Sequence, residues 1–424
     1  MDPVEVLVAD LVGTTDALLR DADAALARRY PGDPTGRQPV HTVYVPADQF
    51  TSGTPAQWGD RALELLAAFA PDPAAASRAT GLDRAVVEEV YPRVTAKLAS
   101  QPVEDLRVDF EDGYGTRPDE EEDAAVAAAV DGLAAYRGKA APAPSWYGIR
   151  CKSLERPSRH RGVRTLVGVL AGLCGDTPTG VPDGLRVTLP KVTSVAQVEA
   201  MVHLLDTLER RLDLPGGSLR FEIQVETPQA VLGPDGTAGV APMVHAAAGR
   251  CTGLHYGTFD YSASLGITAA HQSPAHPAAD HAKAVMQVAA AQTGVTCSDG
   301  STNVVAFADQ DQASATWRGH AGLVSRALER GFYQGWDMHP GHLPSRYLAT
   351  YAFHRAAMPA AAARLRHYVD RTSSDVMDEP ATARALSMAV LRGVRCGAVD
   401  EAEVAAACDL AIGDLERLAG GQGG

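Results

Sequence analysis

Leu-Arg-Val-Asp-Phe-Glu-Asp at 106–112 is a short β-rich run that ends in a cluster of acids, and the same form recurs along the chain. Val-Tyr-Val-Pro at 43–46 and Trp-Tyr-Gly-Ile-Arg at 146–150 flank it. Leu-Arg-Val-Thr-Leu-Pro-Lys at 185–191, Phe-Glu-Ile-Gln-Val-Glu at 221–226 and Leu-His-Tyr-Gly-Thr-Phe-Asp at 254–260 follow. Then come a weaker Gly-Val-Thr-Cys-Ser-Asp at 294–299 and Phe-Tyr-Gln-Gly-Trp-Asp-Met-His at 332–339. These are eight candidate strands, most finishing in a polar or charged residue. With Glu111, Arg150, Lys191, Glu226, Asp260, Asp299 and His339 as strand ends, the intervals are 39, 41, 35, 34, 39 and 40 residues. Each interval fits one strand plus one helix. Helical periodicity is clearest in Val198, Met201, Val202, Leu205, Leu208 and Leu212. Eight such units predict a (β/α)₈ TIM barrel whose site lies at the C-terminal strand ends. An open doubly wound sheet shares the alternation but would carry a Gly-rich phosphate turn, and no G-x-G-x-x-G occurs.

Working outward, residues 1–39 form an amphipathic helix and a turn, expected as an N-terminal helical cap. Residues 40–340 make the barrel, with two or three helices in 47–105. Residues 341–424 read as a C-terminal helical extension broken near Asp370 to Pro380 and ending in a Gly-rich tail.

The 424 residues, 46% hydrophobic and 21% charged, suffice for a large core. A formal charge of −14 argues against nucleic-acid and anionic-membrane partners. The N-terminal residues lack a signal-peptide pattern and no apolar run approaches a membrane span, so a cytoplasmic protein is expected. Six scattered cysteines without a C-x-x-C pair read as reduced core thiols.

Glu226 and Asp260 end consecutive strands, so their carboxylates converge at the barrel mouth. Two hard oxygen donors suit Mg²⁺ or Mn²⁺; alternatively each acid pairs with an Arg or caps a helix. Arg150 could clamp a substrate carboxylate or enolate oxygen, or form an ion pair with Asp109 or Glu111. Lys191 could be a Schiff-base amine, or an electrostatic partner of nearby acids. Asp109, Glu111 and Asp112 are too close to stay unpaired. The basic loop Lys152, Arg156, Arg159, His160, Arg161 and Arg164 could receive phosphates or a second carboxylate, or be a solvated surface or subunit contact. His271, His276 and His281 match no helical ligand spacing and read as a surface loop. His255, on the strand face opposite Asp260, is expected to pack against a helix.

The set of motifs resembles the HpcH/HpaI aldolase and citrate lyase β-subunit superfamily, which includes malyl-CoA lyases and is related to malate synthase. Asp-Phe-Glu-Asp-Gly at 109–113 is similar to its D-L-E-D-G, Gly-Ile-Arg at 148–150 to its V-R, and Leu-Pro-Lys-Val at 189–192 to its L-P-K-V. Val-Glu-Thr at 225–227 resembles I-E-T, the stretch 257–266 resembles G-x-x-D-L-S-A-S-L-G, and Met-His-Pro at 338–340 resembles I-H-P. The resemblance covers roughly residues 40–395. It implies that Glu226 and Asp260 bind Mg²⁺, that Arg150 holds an oxo acid, and that backbone amides around Gly257, Thr258, Phe259 and Asp260 receive its carboxylate. Asp109, Glu111 and His339 would complete the substrate-facing set. Val-Met-Asp-Glu-Pro-Ala-Thr at 376–382 is similar to the segment that supplies a base in these relatives, which implies Asp378 or Glu379; an ordinary helix N-cap fits equally. The pyruvate-aldolase branch has a His in its strand-two motif where Asp112 or Gly113 stands here, and the Gln after His-Pro is replaced by Gly341-His342.

The expected activity is therefore Mg²⁺-dependent carbon–carbon cleavage or formation of a hydroxy or oxo acid, or its CoA thioester, through an enolate. A metal-independent Schiff-base aldolase using Lys191 and a non-catalytic metabolite-binding protein are the rivals. A symmetric homo-oligomer, trimer or hexamer, is implied by the resemblance, with the C-terminal segment covering a neighbouring site.

Overall fold

The computed structural model of the chain describes residues 2–34, 36–137, 143–175, 180–370 and 379–420. Its elements run α1 (Pro3–Arg29), β1 (His41–Pro46), α2 (Thr54–Phe69), α3 (Pro73–Thr80), α4 (Arg84–Ser100), β2 (Asp105–Asp109), α5 (Asp119–Ala134) and β3 (Trp146–Arg150). Then come α6 (Arg159–Cys174), β4 (Leu185–Leu189), α7 (Val195–Arg211), β5 (Phe221–Val225), α8 (Pro228–Val231), α9 (Val240–Ala246) and β6 (Cys251–Tyr256). The remainder is α10 (Thr258–Ser264), α11 (Pro277–Ala290), β7 (Thr296–Ser298), α12 (Gln310–Glu329), β8 (Gly335–Asp337), α13 (His342–Asp370), α14 (Pro380–Arg395), α15 (Glu401–Cys408) and α16 (Ile412–Gly420).

All eight expected strands are present and all pair in parallel, in the order β7-β6-β5-β4-β3-β2-β1-β8. A single bridge between Ser298 and Gln334 joins β7 to β8 and closes the barrel. The (β/α)₈ reading holds, and three helices fill 47–105. Alternate strand residues Val43, Leu106, Ile149, Val187, Ile223 and Leu254 are buried outward against the helical ring. Helix α13 packs on α4, α12 and α14 and so follows β8 in that ring. Helix α1 buries none of its residues, and Val4, Leu7, Leu11 and Leu18 are exposed. Among the described residues no helix is long and apolar enough to cross a membrane. None of the six cysteines is in a disulfide; five are buried and Cys297 is half-buried.

The inward face is charged rather than aliphatic. Arg107 reaches across the barrel to Glu222 (2.7 Å), donates to Thr188 Oγ1 (3.2 Å) and pairs with Asp105. Burial pushes the Glu222 carboxyl up, but Arg107 outweighs it and holds the pKa down at about 2. His255 belongs to this interior: Nδ1 lies 3.4 Å from the Tyr44 hydroxyl and Nε2 3.5 Å from Glu222. It therefore does not pack against a helix as expected, because Glu222 and Tyr44 offer it polar partners inside the barrel.

Substituting Arg107→Met should leave Asp105 and Glu222 buried without their counter-charge and destabilise the fold by about 3–5 kcal/mol. Urea unfolding is the readout, and adding Glu222→Gln should recover part of the loss. A single variant as stable as the parent would show that the network does not support the barrel.

Candidate functional site

At the C-terminal strand ends a cavity of about 420 Å³ is lined by Tyr44, Asp109, Arg150, Gln224, Glu226 and Asp260, with Thr258 and Trp336 among its other walls. Strand parity places them: Gln224 and Glu226 are two residues apart on one face of the β5 end, as are Asp109 and Arg107 on β2. Asp260 sits in the first turn of α10, where a carboxylate is favoured by the helix N-terminus.

Glu226 is 1% exposed. Its Oε1 accepts from the Lys191 backbone N–H (2.7 Å) and its Oε2 from Gln224 Nε2 (2.7 Å). Burial, reinforced by the Asp260 charge, pushes its pKa up to about 8 despite Arg150 and Lys191. Gly257 lies so close that a Cβ there would meet the Glu226 carboxylate at 2.5 Å, so only glycine admits this approach.

Lys191 takes a left-handed backbone (φ 51°) that turns its side chain across the mouth. Its Nζ contacts Asp112 (2.9 Å), Asp260 (3.1 Å) and Glu111 (3.3 Å). One lysine thus links Glu226, through its amide, to Asp260, through its ammonium. Burial lowers the pKa of this ammonium, but Glu111, Glu226 and Asp112 outweigh it and hold it well above the ordinary lysine value. Glu111 is pushed up to about 7, chiefly by burial and against the pull of Arg150.

Arg150 makes the ion pair with Asp109, both contacts at 2.7 Å. Asp109 also accepts from the amides of Glu111 and Gly113 (3.0 and 2.9 Å), so its carboxylate orients the guanidinium and the loop. The remaining Arg150 nitrogen reaches Gln224 Oε1 (3.3 Å), and the guanidinium lies over the Tyr44 and Trp336 rings at 5.0 and 5.4 Å. Tyr44, Gln224 and Trp336 were not singled out from the sequence. Gln224 was readable from pleat parity, two residues before Glu226 on the same face.

Of the other expected residues, Gly257, Thr258 and Phe259 line the cavity, but the Gly257 amide is spent on Val225 C=O (3.0 Å). The hydroxyls of Thr258 and Ser301 are buried in the wall without hydrogen-bond partners among the described residues. His339 is turned away, stacked on Phe307 (centroids 5.4 Å apart) and accepting from the Gly341 amide at Nδ1; Met338 takes its place in the wall. Glu379 is exposed at the N-cap of α14, beside the far end of α13. That end is about 39 Å from His342 at 1.5 Å per residue, so Glu379 does not meet the mouth of its own chain. Asp378 lies outside the described residues.

In the basic loop, Lys152 pairs with Glu122, while Arg161 and Arg164 pair with Asp123, which commits these three to the barrel's flank. His276 caps α11, accepting from the Ala278 amide, as fits a loop role. A group absent from the sequence reading is His320, Asp337 and His342, whose ligand-capable atoms lie within 4.8 Å of one another. It is buried between the barrel wall and α12–α13, and Asp337 already accepts from Arg346 (2.8 Å) and His41 (2.9 Å). This cationic company makes it a structural network rather than a cation site.

The mouth therefore gathers five carboxylates (Asp109, Glu111, Asp112, Glu226, Asp260) against two cations (Arg150, Lys191). Hard oxygen donors, orphaned hydroxyls and an excess of acid fit a divalent cation at Glu226 and Asp260. The Glu226 pKa is raised from its ordinary 4.5 to about 8, so its contribution to metal-free stability is fully present below pH about 4.5 and is lost as pH rises through about 8. Glu226→Gln should flatten this decline and stabilise the metal-free protein by about 1–3 kcal/mol at pH 8, measured by urea unfolding in chelator. An unchanged pH slope would remove Glu226 as its source.

The profile of the family described as "Domain of unknown function (DUF6986)" matches residues 19–422. No curated protein matches the chain. Among solved structures, a citrate lyase from Burkholderia xenovorans LB400 superposes with a TM-score of 0.56 at 18% identity, over 89% of this chain and 98% of that one. A Haloferax volcanii malate synthase gives 0.48 at 14% identity over 75% and 76% of the two chains. The CitE protein of Mycobacterium tuberculosis, solved with magnesium and acetoacetate, gives 0.46 at 16% identity over 84% and 99%. The resemblance expected from the motifs thus holds at the level of the fold, through the first of these structures. The chain belongs to the DUF6986 family, and its (β/α)₈ barrel is similar in fold to that citrate lyase.

Proposed function

We propose that the protein is a carbon–carbon lyase, dependent on Mg²⁺ or Mn²⁺, that cleaves or forms a hydroxy or oxo acid or its CoA thioester through an enolate. The observation that carries this reading is the pairing of an acid-rich cation site, Glu226 with Asp260, and a guanidinium, Arg150, in one cavity of about 420 Å³. When bound, the cation supplies positive charge where the substrate becomes an enolate. Arg150, oriented by Asp109 and Gln224, binds the acid. Tyr44 and Trp336 wall the guanidinium from water. The Thr258 and Ser301 hydroxyls are free to donate to the substrate carboxylate. The Schiff-base alternative is disfavoured because three carboxylates keep the Lys191 ammonium protonated, and the free amine is the nucleophile.

Since Glu379 stands far from the mouth of its own chain, it would act as base only at a neighbouring subunit's mouth, in keeping with a homo-oligomer. A purely monomeric enzyme in light scattering that still turned over would remove Glu379 from the reaction.

Proton NMR in D₂O with Mg²⁺, offering pyruvate and acetyl-CoA, tests the reading. Deuteration of the pyruvate methyl marks an oxo-acid aldolase and of the acetyl methyl a thioester lyase or synthase. Glu226→Gln should reduce either by at least about 100-fold. Exchange at the mutant's level with both donors, together with a borohydride-trapped adduct on Lys191, would overturn the metal-dependent reading.

A further inference from the structure

On the barrel face opposite the mouth, a cavity of about 350 Å³ opens between the segments that lead into β1, β7 and β8 and the helices α13 and α14. Three guanidinium groups, Arg37, Arg392 and Arg395, line it, with His354 and Tyr333. Arg37 is answered by Glu104 (2.7 Å) and Arg395 by Glu416 (2.7 Å). Arg392 is not: among the described residues no carboxylate lies within ion-pair distance of it, and its guanidinium rests on the Tyr333 ring, 3.9 Å from the centroid. Burial lowers its pKa below the ordinary arginine value, against the opposing pull of Tyr333 and Asp33. His354 is only 6% exposed, stacks on Tyr333 (6.3 Å between centroids, 27° between planes), and makes no hydrogen bond among the described residues.

A half-buried guanidinium with no acid in ion-pair distance and a buried imidazole with no hydrogen bond among the described residues both keep donors that an anion could complete. Both border one cavity. Among the described residues its one facing acid is Asp33, which lies 3.7 Å from Arg384 and acts on Arg392 only from beyond ion-pair distance. A volume near the lower end of ligand pockets leaves space beyond a single oxyanion for a short organic group.

We propose that this cavity binds a small phosphorylated ligand, its phosphate held by the fork of Arg392 with the His354 ring N–H as second donor. Guanidinium geometry matches phosphate in a bidentate pair, and the neutral imidazole contributes a donor without adding charge. Such a ligand would tie α14 of the C-terminal region to the roots of β7 and β8, where the barrel has its single closing bridge. The site is separate from the mouth and independent of the reaction assigned there.

The test is isothermal titration of the full chain in phosphate-free buffer with two probes, inorganic phosphate and glycerol 3-phosphate, alongside thermal unfolding. Glycerol 3-phosphate should bind and raise the melting temperature, with inorganic phosphate weaker. Arg392→Gln should weaken binding by about 10- to 100-fold. Arg392→Lys, which keeps the charge and the contact with Tyr333, should weaken it by about tenfold and guards against a variant that fails to fold. Arg150→Lys at the mouth should leave binding unchanged. Binding of inorganic phosphate alone would keep the anion site and identify its ligand as free phosphate. Absence of binding of both probes at about 10 mM, or binding that survives Arg392→Gln or disappears with Arg150→Lys, would overturn the proposal.

Discussion

Ionised groups enclosed in a protein must find counter-charge or change their protonation, and this barrel encloses many of them. Its lower interior solves the problem internally: Arg107 answers Asp105 and Glu222, and Tyr44 and His255 fill the remaining polar valences. At the mouth the same device runs short. Arg150 is committed to Asp109, Lys191 is divided among Asp112, Asp260 and Glu111, and Glu226 is left with neutral donors from Gln224 and a backbone amide. The excess acid collects where the strands end, next to the solvent from which a cation and a substrate arrive. Structure and chemistry are therefore consequences of one electrostatic balance, closed at the bottom of the barrel and open at the top.

The strand ends were legible because each unit repeats its strand and helix at intervals of 34–41 residues and closes on a polar residue; Glu111, Arg150, Lys191, Glu226 and Asp260 emerge in one place for that reason. Tyr44, Gln224 and Trp336 escaped notice because each sits inside a strand run, where apolar or neutral residues look like core, and only barrel closure brings β1, β5 and β8 around one guanidinium. His255 was misread for the complementary reason: pleat parity gave its face, but which face is the charged lumen depends on Arg107 and Glu222, residues from other strands. The partners of Asp337 are set by α12 and α13 packing outside the wall, a tertiary fact without a local signature. His339 ended a predicted strand, yet Met338 takes the cavity side because β8 stops at Asp337.

The seam between β7 and β8 has a mechanical meaning. Each of these strands is three residues long, and one bridge, Ser298 with Gln334, plus the Asp299 amide on the Gln334 carbonyl (2.9 Å), joins them. Elsewhere the staves are stitched by three to five registered pairs. Opening fluctuations of a closed sheet concentrate where the fewest hydrogen bonds must break, so the cylinder has a built-in line of compliance. Trp336 stands on one lip of that line and Ser301 just past the other, both in the wall of the mouth. The aperture of the site is thus bounded on one side by the softest joint of the sheet, and breathing of the barrel there would change the width of the mouth and the seat of Trp336 over the Arg150 guanidinium.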